Sequence, residues 1–334
     1  MNKPAKVASD KRALIAEALL AGCDSAAIRQ RLLDSGVSPP AADYEIKRAE
    51  KDPLFRAAFR LRRDLAKSHW VLRNVRTLGQ QSGGDPIPTV DRIEPERFFA
   101  DFYFTNRPVK LTGLVDHWPA LELWNADYLE QKVGDALVEL QGNRGSSADY
   151  ELFKDRHQHR VPMREVVAAI RKFDSSNDFY VTAYNDTTNK QTLAALWDDL
   201  APVSILKPTG GRDGFFWFGP KGTLTPLHHD LTNNLLVQVL GRKRVLMVPP
   251  WELERVRNHQ HCFSAVTLAE LEEGGEGVPD VVECLIGPGE AVFLPVGWWH
   301  HVEALDVSIS MSFTNFPYEN DFTTGHPVDP PLAV

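Results

Sequence analysis

The chain has 334 residues, 43% hydrophobic and 25% charged, which is ordinary for a globular protein and long enough for one large domain plus a smaller one. Its three cysteines, Cys23, Cys262 and Cys284, form no CxxC pair. That argues against a disulfide framework and against a thiolate zinc site, and makes a reducing cytoplasm the expected setting. The net charge of −8 is uneven: residues 1–80 hold 16 Lys and Arg against 9 Asp and Glu, and the remainder holds 21 against 36. A basic head on an acidic body points to two units.

In chain order, the first apolar run, Ala13 to Leu20, is interrupted by Glu17 and has no cleavage pattern, so no secretory signal is expected. No apolar stretch reaches the roughly 18 residues that cross a bilayer, so no membrane partner is expected. Residues 1–80 read as helical. Lys11 to Ala21 is rich in Ala and Leu and stops at Gly22. Asp24 or Ser25 caps a short helix through Leu33, and Ser38-Pro39-Pro40 opens another. A longer helix is predicted from Pro53 towards Val75, with Leu54, Ala58, Leu61, Leu65 and Leu72 at helical spacing. Arg56, Arg60, Arg63 and Lys67 recur on another face. A solvated face is the plain reading of that stripe; a surface for a second subunit, a peptide or a nucleic acid is the alternative. Residues 81–89 read as a linker from Ser82-Gly-Gly-Asp-Pro-Ile-Pro-Thr89.

Residues 90–334 form the second unit. Short helices are predicted at Pro95–Phe104 and Ala126–Val133, and short strands at Val109–Leu114 and Val138–Gly142. Met163–Phe173 and Thr192–Leu200 are again helical. From Phe215 onward short strands dominate: Phe215–Phe218, Leu235–Leu240, Arg244–Val248, Ala291–Leu294, His301–Leu305 and Val307–Phe313. Many short strands without interposed helices predict a closed or sandwiched β structure.

The chemistry is concentrated in two segments. Thr225-Pro-Leu-His-His-Asp230 places His228 and Asp230 two positions apart, so on an extended strand they face one side and His229 the other. A second imidazole follows in Pro295-Val-Gly-Trp-Trp-His-His301. Two histidines and a carboxylate are the donor set of non-haem Fe(II) oxygenases, which leaves positions open for substrate and oxygen. An HxD triplet alone is a weak signal; the residues around it carry the case.

Residues 223–250, from Thr-Leu-Thr-Pro-Leu-His-His-Asp through Gly-Arg-Lys-Arg-Val-Leu-Met-Val-Pro-Pro, resemble the first metal-binding half of the JmjC-type cupin hydroxylases. Within them they are most similar to the factor-inhibiting-HIF group of asparaginyl hydroxylases. Residues 287–302, Gly-Pro-Gly-Glu-Ala-Val-Phe-Leu-Pro-Val-Gly-Trp-Trp-His-His-Val, resemble the second half, and Pro108 to Trp124 resembles the segment that precedes this core. The resemblance implies a mainly β fold, a double-stranded β-helix or jelly-roll barrel with flanking helices. It implies His228, Asp230 and His300, rather than His301, as ligands of Fe(II), with 2-oxoglutarate and O2 as cosubstrates. It further implies Lys243 on the distal carboxylate of 2-oxoglutarate, Thr225 as a hydroxyl donor to it, Asn234 lining the site, and Tyr180 reaching the cosubstrate, with Tyr184 as rival. A buried dicarboxylate independently needs a charge partner and donors, which a lysine and a hydroxyl supply.

Two departures qualify it. Ser312 stands beside the cosubstrate where that group has an asparagine. The Pro-rich end (Pro317, Pro327, Pro330, Pro331) lacks that group's C-terminal dimerisation helices, which moves any homodimer to the N-terminal helices. The expected activity is hydroxylation of an unactivated C–H bond on a peptide or protein side chain; a nucleic-acid partner is not expected. Hydroxylation of a small molecule or free amino acid is a second reading, and a non-catalytic cupin module that senses a ligand or binds a partner is a third. His259 with His261, and His157 with His159, read as surface-loop histidines without a third ligand. Trp118, Trp124, Trp298 and Trp299 read as packing residues, and Gly274 to Gly277 as a turn.

Overall fold

The computed structural model describes residues 7–83, 87–147, 149–182 and 186–327. Residues 84–86 of the predicted linker, Tyr184, Pro330 and Pro331 lie outside them. The chain forms two compact units, residues 1–78 and 79–334.

In the first unit, α1 (Ser9–Leu20), α2 (Ser25–Asp34) and α3 (Pro39–Lys51) bury Ile15, Ile28, Leu32, Ala42 and Ile46 together. The Asp24 side chain caps α2 by accepting from the Ala27 amide at 2.7 Å. Helix α4 (Pro53–Ser82) runs beyond the predicted end at Val75 and enters the predicted linker. The only breaker on the way is Gly79, and one helical glycine costs only about 1 kcal/mol. Its expected apolar face is not packed: Leu54, Leu61 and Leu65 are 82%, 72% and 54% exposed. Arg56, Arg60, Arg63 and Lys67 are exposed as well.

The second unit begins with β1 (Thr89–Asp91), which pairs in parallel with β2 (Val109–Thr112). Between them α5 (Pro95–Phe98) passes into a π-helical turn over Phe99–Tyr103, so the predicted helix is split. After α6 (Ala120–Leu123) and α7 (Ala126–Val133), strands β3 (Leu137–Gly142), β4 (Gln158–Pro162) and β5 (Phe179–Tyr180) form a small sheet flanked by α8 (Met163–Lys172). The helix predicted over Thr192–Leu200 is instead α9 (Asp186–Thr192) followed by a 3-10 segment, Ala194–Asp199.

The remaining strands are β6 (Phe215–Gly219), β7 (Leu224–His228), β8 (Asn234–Leu240), β9 (Lys243–Val248), β10 (Asn258–Gln260), β11 (Phe263–Ser264), β12 (Val282–Ile286), β13 (Ala291–Leu294), β14 (Trp299–Ala304) and β15 (Ser308–Phe313), with α10 (Leu268–Glu273) before β12. Among the described residues they complete two six-stranded sheets, in the orders β1-β2-β13-β8-β15-β6 and β10-β11-β7-β14-β9-β12. From β6 to β9, and again from β12 to β15, successive strands alternate between the sheets, which is the jelly-roll path. Leu236 and Val292 of one sheet meet Val245, Met247 and Ile286 of the other in the barrel interior. The outer face of the first sheet packs on the helices through Phe98, Val237, Phe293 and Met311. Leu227, Leu246, Val248 and Trp299 cover the outer face of the second.

Gly241 turns the chain between β8 and β9 with φ +71°, and a Cβ there would collide with the Val307 carbonyl oxygen. This hairpin sets where Lys243 enters β9. Gly241→Ala is expected to lower unfolding stability by about 1–3 kcal/mol through backbone strain, measured by urea denaturation.

Candidate metal centre

The second sheet sets the geometry. His228 on β7 and His300 on β14 are directly paired across the antiparallel ladder. Their rings lie 4.2 Å apart between centroids. The next ladder pair is Val302 with Thr225, so β7 carries one residue more than β14 between the two pairs. This bulge lets Thr225 and His228 line the same pocket although they are three positions apart, which strict alternation forbids. Strand β7 ends at His228, so Asp230 lies just beyond it rather than on an extended strand. Asp230 still turns inward: one carboxylate oxygen is 3.7 Å from His228 Nε2 and the other 3.8 Å from His300 Nε2.

The ring orientations are fixed from behind. His228 Nδ1 lies 2.8 Å from the Pro226 carbonyl, and His300 Nδ1 lies 3.0 Å from the Trp298 carbonyl. A proton donated from each Nδ1 leaves both Nε2 lone pairs facing Asp230, the usual arrangement behind metal-binding imidazoles. Asn234 Nδ2 donates to the Asp230 carboxylate at 3.1 Å. Burial raises the Asp230 carboxyl, but His300, His228 and the Asn234 amide outweigh it and hold it below the ordinary value. Burial, followed by repulsion from His228, lowers His300 to about 4. Two imidazoles and a carboxylate whose ligand atoms lie within 4.8 Å of one another fit a hard-to-borderline divalent ion such as Fe(II).

A pocket of about 70 Å³ opens from these three residues into the barrel, lined also by Tyr180, Trp217, Thr225, Asn234, Lys243 and Ser312. The structure thus brings every described residue named for the site to one cavity. At its inner end Lys243 is 2% exposed, and its ammonium donates to the Tyr180 hydroxyl at 2.9 Å. Burial lowers Lys243 to about 7 and raises the Tyr180 hydroxyl. No carboxylate pairs with this lysine among the described residues, so an anionic ligand would be the partner that stabilises its charged form. The Asn234 Oδ1 is buried without a partner. Ser312 Oγ accepts from the Trp217 indole at 2.8 Å, which fixes that ring on the pocket wall. Gly219 leaves room for Tyr180, whose ring would stand 2.6 Å from an added Cβ.

Sequence reasoning passed over Arg144. It is 1% exposed, and its guanidinium stacks over Tyr150 at 4.2 Å and lies 5.5 Å from the Tyr180 ring centroid. It donates to the Leu224 carbonyl at 2.6 Å and to Glu151 at 3.2 Å. An isolated arginine in an irregular segment carries no pattern that marks it for burial. His157 was expected at the surface but is buried, with Nδ1 3.2 Å from the Gly142 carbonyl. His159 stays exposed on β4, and the His259 side chain lies outside the described residues. Trp118, Trp124, Trp298 and Trp299 are each 2% exposed and pack in the cores.

A barrel with this polar mouth defines a cupin. The profile of the cupin-like domain matches residues 95–323, and the chain belongs to that family, in its JmjC oxygenase branch, whose members use Fe(II), 2-oxoglutarate and O2. The chain is similar to lysine-specific demethylase 8 of Xenopus tropicalis, 28% identical over 243 residues, or 68% of this chain and 52% of the relative. It is also similar to lysine-specific demethylase JMJ30 of Arabidopsis thaliana, 31% identical over 230 residues, 65% of this chain and 52% of the relative. The human bifunctional peptidase and (3S)-lysyl hydroxylase JMJD7 is 25% identical over 262 residues, 68% of this chain and 83% of the relative. The chain spans about half the length of the first two relatives. None of these three is named as an asparaginyl hydroxylase, and the finer likeness to that group is not shown. Among the described residues no helix is long and apolar enough to cross a membrane.

Breaking the Arg144–Glu151 pair leaves a guanidinium buried without its carboxylate. Glu151→Ala is expected to cost roughly 3–5 kcal/mol of unfolding stability, read from denaturant midpoints, whereas the exposed Glu96→Ala serves as a near-neutral control.

Proposed function

We propose that this protein is an Fe(II)- and 2-oxoglutarate-dependent hydroxylase acting on a side chain of a protein or peptide. The supporting observation is the pairing, in one pocket, of the His228, Asp230 and His300 donors at the mouth with the buried, uncompensated Lys243 at the inner end. His228, Asp230 and His300 hold the iron from one side and leave the pocket side open. When bound, the iron with 2-oxoglutarate and O2 supplies the oxidant that places oxygen into a C–H bond.

The chain's own residues do the rest. Asn234 holds the Asp230 carboxylate in place. Lys243 binds the distal carboxylate of 2-oxoglutarate, with Tyr180 and Thr225 as hydroxyl donors beside it. Leu236, Leu294 and Val302 exclude water from the inner wall. A second, larger cleft of about 490 Å³ shares His228 and Asp230 with this pocket and extends along Phe153, Gln260 and Phe263. Its size suits a peptide better than a free amino acid. Two relatives are named as lysine demethylases and one as a lysyl hydroxylase. Both names describe work on lysine side chains, and lysine-containing peptides are the first substrates to try.

Anaerobic titration of Fe(II) and 2-oxoglutarate is expected to give a visible charge-transfer band in wild type and none in Asp230→Ala. Folded, iron-loaded wild type without such a band would sink the proposal. Lys243 adds a pH signature. Its folded pKa lies far below the ordinary lysine value, so above pH of about 7 the ligand-free lysine is neutral and 2-oxoglutarate must bring a proton with it. The Kd for 2-oxoglutarate is therefore expected to be flat below that pH and to rise by up to about tenfold per pH unit above it. Calorimetry should show buffer-dependent proton uptake. In Lys243→Met the pH dependence should vanish and the Kd rise roughly 10–100-fold.

Pairing with a second copy through the first unit belongs to the same proposal, because Leu54, Leu61 and Leu65 form an exposed row on α4. Sedimentation equilibrium should give a dimer for wild type and a monomer for the folded double variant Leu61→Glu/Leu65→Glu. Identical monomer masses would remove the dimer.

A further inference from the structure

We propose that His229, Cys262 and His326 form a second metal site, separate from the first donor set, that takes a borderline-soft divalent ion, Zn(II) by its chemistry. One nitrogen of each imidazole and the Cys262 sulfur lie within 4.8 Å of one another. His229 stands between His228 and Asp230, just beyond the end of β7, with its ring 4.7 Å from Trp299 on the outer face of β14.

The ligands are held by backbone as well as by proximity. The His229 amide donates to the Cys262 carbonyl at 3.0 Å, in register with the pairing of Phe263 and His228. These two donors are therefore fixed by the β7–β11 ladder. His326 arrives on the segment after β15, which is anchored twice on the way. Asn320 accepts from the Asn233 amide at 2.8 Å, and the Phe322 amide donates to the Leu231 carbonyl at 3.0 Å. The His326 ring then lies 5.9 Å from His229 and 5.0 Å from His261 between centroids.

The donor chemistry is specific. His229 Nδ1 lies 3.2 Å from the Asp230 carbonyl, so a proton donated there leaves Nε2 as the lone-pair nitrogen. Two imidazoles and a buried thiolate suit Zn(II) and disfavour Mg(II) or Ca(II), which want oxygen. Zinc bonds of about 2.3 Å to sulfur and 2.0–2.1 Å to nitrogen require the donors to close by on the order of 1 Å. The chain leading to His326, residues 321–325, is exposed and supplies that movement. A fourth position falls to water or to His261, which sits on the same wall. The ion would staple the C-terminal segment to the end of β7, in the wall of the cleft that reaches His228 and Asp230, which His229 and Cys262 also line.

Cobalt(II) is the probe, because thiolate-to-cobalt charge transfer in the near ultraviolet reports sulfur ligation, and the His228, Asp230 and His300 set contains no sulfur. Chelator-treated full-length protein is titrated with Co(II), with circular dichroism as the folding control. The expected result is a near-ultraviolet band that saturates by about two equivalents in wild type, where the first donor set also takes Co(II), and by about one equivalent in Asp230→Ala. The band should be absent in Cys262→Ser and should need at least tenfold more Co(II) in His326→Ala. Folded wild type without the band, or a band that survives Cys262→Ser, overturns the site. If Cys262→Ser fails to fold, His326→Ala decides: an unchanged titration curve overturns it. Persistence of the band in Asp230→Ala separates this outcome from failure of the hydroxylase reading.

Discussion

The ladder pairing of His228 with His300 is the constraint on which the site rests. Antiparallel partners stand side by side across two strands, so this single register brings together residues far apart in the chain. A slip of one residue would set Trp299 opposite His228 and would turn His300 to the outer face. The register is secured on both sides. Trp299 is buried with Leu227 and Leu246 on the outer face, and Val302 packs with Val245 and Met247 inside. The bulge in β7 then uses one extra residue to aim Thr225 and His228 into the same cavity. The hydrophobic cores thus act on the chemistry by holding the register.

The pocket runs between two electrostatic extremes. At the mouth, Asp230 is kept ionised by its neighbours and the His300 imidazole is kept neutral by burial, the protonation states a divalent ion wants. At the inner end the barrel buries a lysine beside a tyrosine hydroxyl, and among the described residues no carboxylate pairs with it. Burying an unpaired cation costs stability, and such a cost is retained where function uses it. Under the proposed function, a divalent ion at the mouth and the distal carboxylate of 2-oxoglutarate at the inner end would neutralise Asp230 and Lys243 respectively. Arg144 with Glu151 packs behind Tyr180 and stiffens the wall that presents its hydroxyl.

The first unit follows different rules. Its small core of Ile15, Ile28, Leu32, Ala42 and Ile46 is complete with three helices, and α4 leaves leucines exposed. Helical periodicity identifies an apolar face but not what covers it.

Local signals were enough for much of this protein. Short apolar runs marked β6, β8, β9, β13 and β15 within a residue or two, because each strand buries at least one face against its own barrel. Asp24 and Pro39 marked helix starts, since capping chemistry is local. The His-x-Asp spacing and the lysine after the hairpin pointed to residues that the structure brings to one cavity, although Asp230 lies beyond β7 and Lys243 opens β9. Signals spread over distance were not legible. The split of the Pro95–Phe104 helix, the bulge in β7 and the burial of Arg144 and His157 depend on neighbours that the chain supplies elsewhere. The meeting of His229, Cys262 and His326 is of the same kind: each is ordinary in its own segment, and only the backbone pairings of β7 with β11 and with the C-terminal segment bring the three donors together.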